Sequence, residues 1–308
     1  MAIFLHHYPA SSFAEKVRVL MGYLKLEWQS VQIEPILPRP RLDLLTGGYR
    51  RTPVLQIDSN IYCDTHLISK TLADHAFDET LFAHGFVAER VAEWADTQLV
   101  DVCRTLNMRP EAIADTIERI SPGKAAAFKK DRAALFKGST KLKLTPEAAL
   151  SFLTSYLNQF NNWIDNAFMF GDEPSIADFS VYHCLWSLAQ SPLNSSLLYP
   201  YRNVCEWMER IHAFGHGLSE DSDEQEALDH AFDTFPELPF VTTLLLPGVQ
   251  IGDYVKVTPV DYGCVAVSGE LLALSPEQVI IGRETDETGG VICHFPIAGY
   301  EVRKLEEH

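Results

Sequence analysis

The sequence has little positive charge, few cysteines and no long apolar run, and each shortage excludes a class of protein. Its 308 residues include 25 lysines and arginines against 42 aspartates and glutamates, which gives a formal net charge of −17. Nucleic acids and anionic membrane surfaces both select a positive protein surface, so we expect neither as a partner. No apolar run approaches the ~20 residues that cross a bilayer, and the N-terminal stretch lacks the basic start of a secretory signal. We therefore expect a cytoplasmic protein.

The six cysteines are scattered along the chain, and none stands in a CxxC pair or at the spacing of metal ligands. This usage favours free thiols in a reducing compartment over a disulfide framework. Two neighbouring histidines, His6 and His7, fall on a strand-like run and would face opposite sides of it. The sequence therefore predicts no metal site.

What the sequence does contain is a succession of three differently patterned segments, together long enough for two or three domains. Residues 1–78 alternate strand and helix patterns in the order βαβ then ββα, which predicts an α/β unit on a four-stranded mixed sheet. Residues 79–237 have nearly continuous helical patterns and predict an all-α domain, with the acidic run 219–233 as a solvated face. Residues 238–308 hold short strand-like runs between glycine, proline and aspartate, which predicts a small all-β, barrel-like domain.

Two serines stand at the first strand-to-helix turn, in "PASSFAEKVRV" (residues 9–19). A helix N-terminus carries unpaired N–H groups and a partial positive charge, so it favours an anion. A hydroxyl hydrogen bond to a thiolate contributes roughly 1.5–3 kcal/mol, and the helix end roughly 0.3–1 kcal/mol. A pKa change of one unit corresponds to a free-energy difference of ~1.36 kcal/mol. Both effects together would therefore lower the pKa of a ligand thiol at Ser11 or Ser12 by roughly 1 to 3. The alternative is that one serine only caps the helix.

Two further short stretches carry weaker signals of a ligand site. In "RRTPVLQI" a proline stands at the start of a strand, and a cis Thr52–Pro53 bond would leave the backbone of Val54 open to a peptide-like ligand. In "YCDTHLI" a strand ends and a helix begins at Asp64 and Thr65. Thr65 could bind a carboxylate and Asp64 an ammonium group, so the pair suits the α-amino-acid end of a small ligand. Alternatively, one of the two caps the helix.

These stretches, in this order, resemble the thioredoxin-like N-terminal domain of the glutathione S-transferase family. The helical segment supports the same resemblance, because "GDEPSIADFSVYHCLW" (residues 171–186) is similar to the start of that family's central helix. Within it, Ser175 and Asp178 have the S-x-x-D spacing of a capping box, which is a structural element and not a catalytic site. The resemblance covers residues 1–215, and ordinary family members lack the β segment that ends this chain.

The resemblance implies a role for the residues of the three stretches. Ser11 matches the position that contacts the sulfur of glutathione. Ser12 and Tyr8 are alternatives, because many relatives have proline after the catalytic position and some classes use a tyrosine from the first strand. The residues that match glutathione-binding positions are Thr52, Pro53 as a cis-proline, Val54 through its backbone, and the pair Asp64 and Thr65 for the γ-glutamyl end.

The resemblance then implies a glutathione S-transferase that conjugates glutathione, as co-substrate and without a metal, to a small apolar electrophile. Met108, Phe128 and Tyr156 are candidates for the pocket that holds the electrophile between the first two domains. A homodimer is also implied. The alternatives are a non-catalytic glutathione-binding or scaffold protein of the same fold, and a glutathione-dependent isomerase or dehalogenase. A glutaredoxin-like activity generally needs a cysteine at the turn, where this chain has serine.

Overall fold

The computed structural model describes residues 1–141, 143–239 and 246–305, and its first seven elements form an α/β unit. These elements are β1 Ile3–His7, α1 Ser12–Tyr23, β2 Glu27–Gln32, α2 Pro40–Thr46, β3 Val54–Ile57, β4 Asn60–Cys63 and α3 Thr65–His75. The strands lie in the order β4-β3-β1-β2, with β1 and β2 parallel and the other pairs antiparallel. The structure therefore confirms the βαβ-ββα order and the mixed sheet.

A helical part follows, consisting of α4 Gly85–Trp94, α5 Val100–Asn107, α6 Ile113–Ile120, α7 Ala125–Leu135, α8 Pro146–Trp163, α9 Ile176–Ala189 and α10 Arg202–His212. A π-helical turn, Ala95–Leu99, joins α4 to α5. Helix α9 packs against α1, α4 and α5 and is mostly buried, as its all-round apolar pattern predicts. The carboxylate of Asp178 accepts from the N–H of Ser175 at 2.9 Å and from the indole of Trp207 at 2.8 Å, so the capping box is structural. No helix in the described ranges is long and apolar enough to cross a membrane.

The acidic run of the sequence forms two elements that its pattern did not reveal. Strand β5, Leu218–Ser222, pairs in parallel with β2, and helix α11, Glu224–Asp233, follows it. β5 is exposed along most of its length, in agreement with the predicted solvated face. The apolar side of α11 is buried, and Gln56 Nε2 donates to the carbonyl of Ala227 at 2.9 Å. The run therefore extends the sheet beyond β2 and adds a helix to it.

The last five strands extend the same sheet at its other edge. They are β6 Tyr254–Pro259, β7 Val267–Leu274, β8 Gln278–Thr285, β9 Gly289–Pro296 and β10 Tyr300–Lys304, antiparallel in the order β10-β6-β7-β8-β9. Strand β9 runs parallel to β4, with Ile292 opposite Asn60, and the result is one ten-stranded sheet. The predicted C-terminal β region is therefore present. Residues 240–245 and 306–308 of that predicted domain lie outside the described residues.

A hydrophobic core joins the two β regions. Val54 and Ile61, from β3 and β4, belong to the same cluster of buried side chains as Val257, Leu271 and Phe295 from the C-terminal strands. A second and larger cluster lies between the α/β unit and the helical part. Apolar burial is the dominant favourable contribution to folding, so the C-terminal strands share the stabilisation of the α/β unit. The predicted site residues lie where these parts meet.

Candidate functional site

Ser11 lies at the N-terminus of α1, and 6% of its surface is exposed. Its Oγ accepts a hydrogen bond from the N–H of Ala14 at 3.2 Å, so the serine caps the helix. Capping uses a lone pair of the oxygen and leaves the hydroxyl hydrogen for another acceptor. The two interpretations of this serine are therefore compatible, because Ser11 can cap α1 and still donate a hydrogen bond to a ligand sulfur.

Tyr8 and Ser12 line the same cavity as Ser11. Tyr8 follows β1 directly, Ser12 is the first residue of α1, and both are partly exposed. The structure therefore brings the three candidate residues to one cavity.

The Thr52–Pro53 peptide bond is cis, as the family resemblance implied. Val54 follows at the start of β3, where it lies opposite His6 of β1 and Cys63 of β4. The side chain of Val54 is fully buried in the core. The main chain of Val54 is buried as well, since the whole residue is 0% exposed, and Val54 lines neither cavity, so the structure does not expose the backbone that the sequence predicted to be open to a ligand.

Asp64 and Thr65 lie where β4 ends and α3 begins. Asp64 caps α3, because its Oδ1 accepts from the N–H of His66 at 3.0 Å. Its Oδ2 accepts from the hydroxyl of Tyr300 at 3.3 Å and lies 3.7 Å from Nη1 of Arg51. The carboxylate that was predicted to hold an ammonium group therefore also has partners within the protein. Thr65 is in the first turn of α3, where backbone N–H groups lack helical acceptors.

The first of two cavities, here called the acidic cavity, has a volume of about 310 Å³ and is lined by Thr52, Pro53, Asp64 and Thr65. More carboxylates than guanidinium groups line it. The carboxylates are Asp64, Glu89, Glu93, Asp96 and Asp261, and the guanidinium groups are those of Arg51 and Arg90. Lys16 and Lys141 pair with Asp96 and Asp261, so the excess amounts to one negative charge. A concave wall with a negative excess attracts a cationic group such as an ammonium.

The second cavity, here called the basic cavity, has a volume of about 350 Å³ and is lined by Tyr8, Ser11 and Ser12. Seven cationic side chains line it against the single carboxylate of Asp101. The seven are Arg39, Arg50, Arg51, Arg104, Arg119, Arg132 and Lys141. Burial lowers the pKa of Arg39 to about 10, so its guanidinium keeps its charge at pH 7. The cavity is therefore positive inside an acidic protein.

The structure places two of the three candidates for the electrophile pocket in the basic cavity. Met108 and Phe128 line it. Tyr156 does not line either cavity, and its ring packs on Trp94 and Phe160. The reason is that α8 packs against α5 and α10, so Tyr156 belongs to the helical core.

The C-terminal strands supply part of the site, and sequence reasoning missed their residues. Phe13, Arg51, Thr52 and Tyr262 line both cavities, so the cavities adjoin. Arg51 is held by residues 261 and 262: it pairs with the carboxylate of Asp261 and donates to the carbonyl of Tyr262 at 2.7 Å. Its guanidinium also lies 4.2 Å from the centre of the Tyr262 ring.

Asp96 carries a buried polar network from the acidic cavity into the helical core. Its carboxylate accepts from Nε2 of His183 at 2.8 Å and from the hydroxyl of Ser180 at 3.2 Å. Burial alone would raise the pKa of Asp96, but the adjacent Lys16 ammonium and the His183 hydrogen bond hold that pKa well below its ordinary value. Asp96 is therefore a carboxylate at neutral pH.

Metal ligation finds no support in the part of the chain that the structure describes. No group of three or more histidine, cysteine, aspartate or glutamate side chains is placed there to hold a metal ion. The six cysteines are free, and four of them are buried.

Comparison with known proteins identifies the family. The model described as glutathione S-transferase, N-terminal domain, matches residues 5–80, and the model described as glutathione S-transferase, C-terminal domain, matches residues 124–213. A GST-like protein from Pseudomonas syringae, with a known crystal structure, is 34% identical over 98% of this chain and 100% of that chain, with a TM-score of 0.82. The chain therefore belongs to the glutathione S-transferase family. No match was found among curated protein sequences.

More distant structures match a smaller part of the chain. Glutathione transferase F1 of poplar is 15% identical over 69% of this chain and 92% of its own, with a TM-score of 0.50. A glutathione S-transferase of Sinorhizobium meliloti is 17% identical over 69% of this chain and 89% of its own, with a TM-score of 0.51. At these identities the likeness concerns the fold alone. The P. syringae match, by contrast, extends over nearly the whole chain and so includes the C-terminal strands.

Proposed function

We propose that this protein is a glutathione transferase that ionises the thiol of bound glutathione at Ser11 and conjugates it to a small electrophile in the basic cavity. The observation that carries the proposal is the position of Ser11, which caps α1 through Oγ and lines the basic cavity. The cis Thr52–Pro53 bond lies between the two cavities, because Thr52 lines both of them. Family membership supports glutathione as the ligand.

The polarity of the two cavities fits the orientation of the tripeptide. The γ-glutamyl ammonium would lie in the acidic cavity near Asp64, and the γ-glutamyl carboxylate would accept from the hydroxyl and N–H of Thr65 at the start of α3. The cysteinyl unit would then lie beside Pro53, which lines the acidic cavity, with its sulfur towards Ser11 in the basic cavity. The glycyl carboxylate would enter the basic cavity.

The reaction follows from that placement. The Ser11 hydroxyl donates to the sulfur and stabilises the thiolate, and the thiol proton leaves to solvent. The sulfur lone pair forms a bond to the electrophilic carbon, and the leaving group departs with its electron pair. A hydrogen bond to a charged group contributes roughly 1.5–3 kcal/mol, so removal of the hydroxyl should lower kcat/KM by roughly 10- to 150-fold at pH 7.

The test compares Ser11→Ala with Ser12→Ala and Tyr8→Phe. We expect Ser11→Ala to raise the pKa of bound glutathione, read from the thiolate absorbance as a function of pH, and to lower the conjugation rate while glutathione still binds. The other two variants serve as matched controls, because each removes one hydroxyl from a residue that lines the same cavity. Unchanged thiolate formation in Ser11→Ala, with a loss in one of the controls, would assign the role to that control residue.

Calorimetry separates the transferase from a non-catalytic protein of the same fold. Micromolar to sub-millimolar binding of glutathione together with a thiolate signal supports the transferase. Binding without a thiolate signal supports a non-catalytic glutathione-binding protein, and no heat at millimolar glutathione favours a scaffold protein of the same fold. We also propose a homodimer by analogy with the family, for which light scattering should give twice the mass of the chain.

A further inference from the structure

The basic cavity contains more positive charge than its own protein partners balance. Five of its seven cations have carboxylate partners, which are the four aspartates Asp64, Asp101, Asp131 and Asp261. Within ion-pair distance the cations therefore outnumber their carboxylates by three, in a chain with a formal net charge of −17. The carboxylate of Asp115 also acts on the charge of Arg119, but it forms no ion pair with it. Enclosed walls with one sign of charge concentrate ligands of the opposite sign.

Arg39 and Arg119 form no ion pair with any carboxylate of the described residues. Arg39 is 3% exposed and donates to neutral acceptors: the carbonyl of Glu34 at 2.7 Å, the carbonyl of Pro35 at 3.1 Å and the hydroxyl of Thr52 at 2.8 Å. The Nε of Arg119 is buried and has no hydrogen-bond partner in the described ranges. A buried donor of a charged group without an acceptor is unfavourable, and an anionic ligand would relieve that cost.

Glutathione itself balances part of this excess. Its γ-glutamyl end carries one positive and one negative charge, while its glycyl carboxylate and its thiolate each carry one negative charge. The tripeptide in its reactive form therefore leaves one of the three positive charges without a counterpart. A second substrate with one carboxylate would balance it.

Part of the remaining lining of the basic cavity is apolar. Met108, Phe128 and Leu135 line it, as does Phe136, whose ring lies 4.4 Å from the guanidinium of Arg104. Guanidinium groups bind carboxylates through paired N–H donors, and the apolar side chains suit a hydrocarbon or aromatic body.

We propose that the electrophile conjugated by this protein is an organic acid, with its carboxylate bound at Arg119 and an apolar body against Met108 and Phe128. The reaction in this proposal rests on the function proposed above. The substrate class rests on the charges of the basic cavity. It replaces the small apolar electrophile expected from the family resemblance by an anionic one.

A chlorodinitrobenzoate illustrates the step. The glutathione thiolate attacks the carbon that bears chlorine, a C–S bond forms, the C–Cl bond breaks, and chloride leaves with the electron pair. The thiol proton has already passed to solvent, and the carboxylate of the substrate takes no part in the bond changes. No oxidant or reductant is required.

The first experiment measures binding of an unreactive acid, 3,5-dinitrobenzoate, and of its neutral counterpart, 1,3-dinitrobenzene, by calorimetry on the full chain. We expect the acid to bind at least tenfold more tightly than the neutral probe. Arg119→Gln should weaken binding of the acid by about tenfold, ~1.4 kcal/mol, and leave binding of the neutral probe unchanged. Arg109→Gln is the matched control, because Arg109 also has a buried Nε without a partner in the described ranges and lies outside both cavities.

The outcomes separate this proposal from the proposed function. Equal binding of the two probes, or an equal loss in Arg119→Gln and Arg109→Gln, overturns the proposal even if glutathione is bound and conjugated. Complete displacement of dinitrobenzoate by S-methylglutathione also overturns it, because the cations would then serve the tripeptide. Another outcome is that the protein binds the acid through Arg119 and does not bind glutathione. That result would support the anion site and contradict the transferase function.

The second experiment measures conjugation of glutathione to 4-chloro-3,5-dinitrobenzoate and to its methyl ester, each kcat/KM divided by the uncatalysed rate constant. We expect the enzyme to accelerate the acid more than the ester, and Arg119→Gln to reduce that preference by about tenfold through KM. A greater acceleration of the ester in the unaltered protein contradicts an acidic substrate.

Discussion

Nζ of Lys16 lies 2.7 Å from Oδ2 of Asp96, and the lysine side chain is completely buried. The pair connects α1, whose N-terminus carries Ser11, to the π-helical turn of the helical part. Extra residues in π turns often mark functional sites, and here the turn brings a carboxylate to the acidic cavity. The position of α1 against the helical part therefore depends on a buried ion pair.

Replacement of Asp96 by asparagine should destabilise the protein by about 3–5 kcal/mol, because it leaves the buried ammonium of Lys16 without its counter-charge. The pKa of Asp96 is held below its ordinary value, so its contribution to stability is complete above pH ~4 and is lost as the pH falls through the lower native value. Urea unfolding at pH 7 measures the loss. Asp165→Asn, at an exposed position, is the control, and equal midpoints of the two variants would contradict the role of the pair.

Acidification should weaken the fold well above the range in which carboxylates titrate. Burial lowers the pKa of His6 to about 4 in the folded protein, from an ordinary value near 6.5. Between these values the unfolded chain binds a proton that the native one does not, so unfolding becomes easier by ~1.4 kcal/mol per pH unit for this histidine as the pH falls. His6→Gln keeps a donor for Oε1 of Gln56, which lies 3.0 Å from Nε2 of His6, and removes the titration.

The measurement for His6 is the unfolding free energy between pH 7 and pH 4.5. Averaged over this range, the slope with pH should be smaller in His6→Gln than in the unaltered protein by roughly 1 kcal/mol per pH unit, whatever the stability at pH 7. His84→Gln, at an exposed position, serves as the control. An unchanged slope in His6→Gln would show that His6 does not titrate in this way.

The C-terminal strands should unfold together with the α/β unit. Phe295 of β9 is fully buried, and its ring centre lies 5.8 Å from that of Tyr49, next to the site residues. Truncation of a buried phenylalanine costs about 3–5 kcal/mol of stability. Phe295→Ala should therefore lower the free energy of unfolding of the whole protein by that amount. All five tryptophans lie between residues 28 and 207, so their fluorescence reports on the other parts of the chain.

Fluorescence and circular dichroism should therefore give the same lowered midpoint in Phe295→Ala. An unchanged tryptophan transition would instead mean that residues 238–308 fold as the separate domain that the sequence suggested. Phe235→Ala is the control for loss of a phenylalanine, because Phe235 is 90% exposed.

Gly22 of α1 should not tolerate a methyl group. A Cβ built at this position would lie 2.2 Å from the carbonyl oxygen of Gly215, in the backbone that leads to β5. Gly22→Ala must push the two segments apart, and we expect a loss of about 1–3 kcal/mol in thermal or urea unfolding. Gly290→Ala, where a Cβ meets no atom within 4 Å, should leave the stability nearly unchanged. Equal stability of the two variants would contradict the close packing.

Local patterns were sufficient to predict the elements around the candidate site. The strand-helix turn at Ser11, the strand start at Pro53 and the cap at Asp64 depend on neighbours within a few residues, and each occurs where the sequence placed it. The central helix α9 was predictable for the same reason, because its apolar pattern requires burial on all sides.

Long-range contacts were not predictable in this way. The pairing of β9 with β4 joins residues more than two hundred positions apart, and alternation within a strand does not reveal its neighbour. The partners of Arg51 come from residues 261 and 262 for the same reason. The cation excess of the basic cavity was also hidden, because its arginines are spread over residues 39–132 of an acidic sequence.

The wall built by Asp261, Tyr262 and Tyr300 has a consequence for biosynthesis. Residues near the start of the chain provide one side of the acidic cavity and residues near its end provide the other. A growing polypeptide thus lacks a finished pocket until Tyr300 has been synthesised and has left the ribosome. Premature termination anywhere before β10 would yield a product with an open, incomplete pocket.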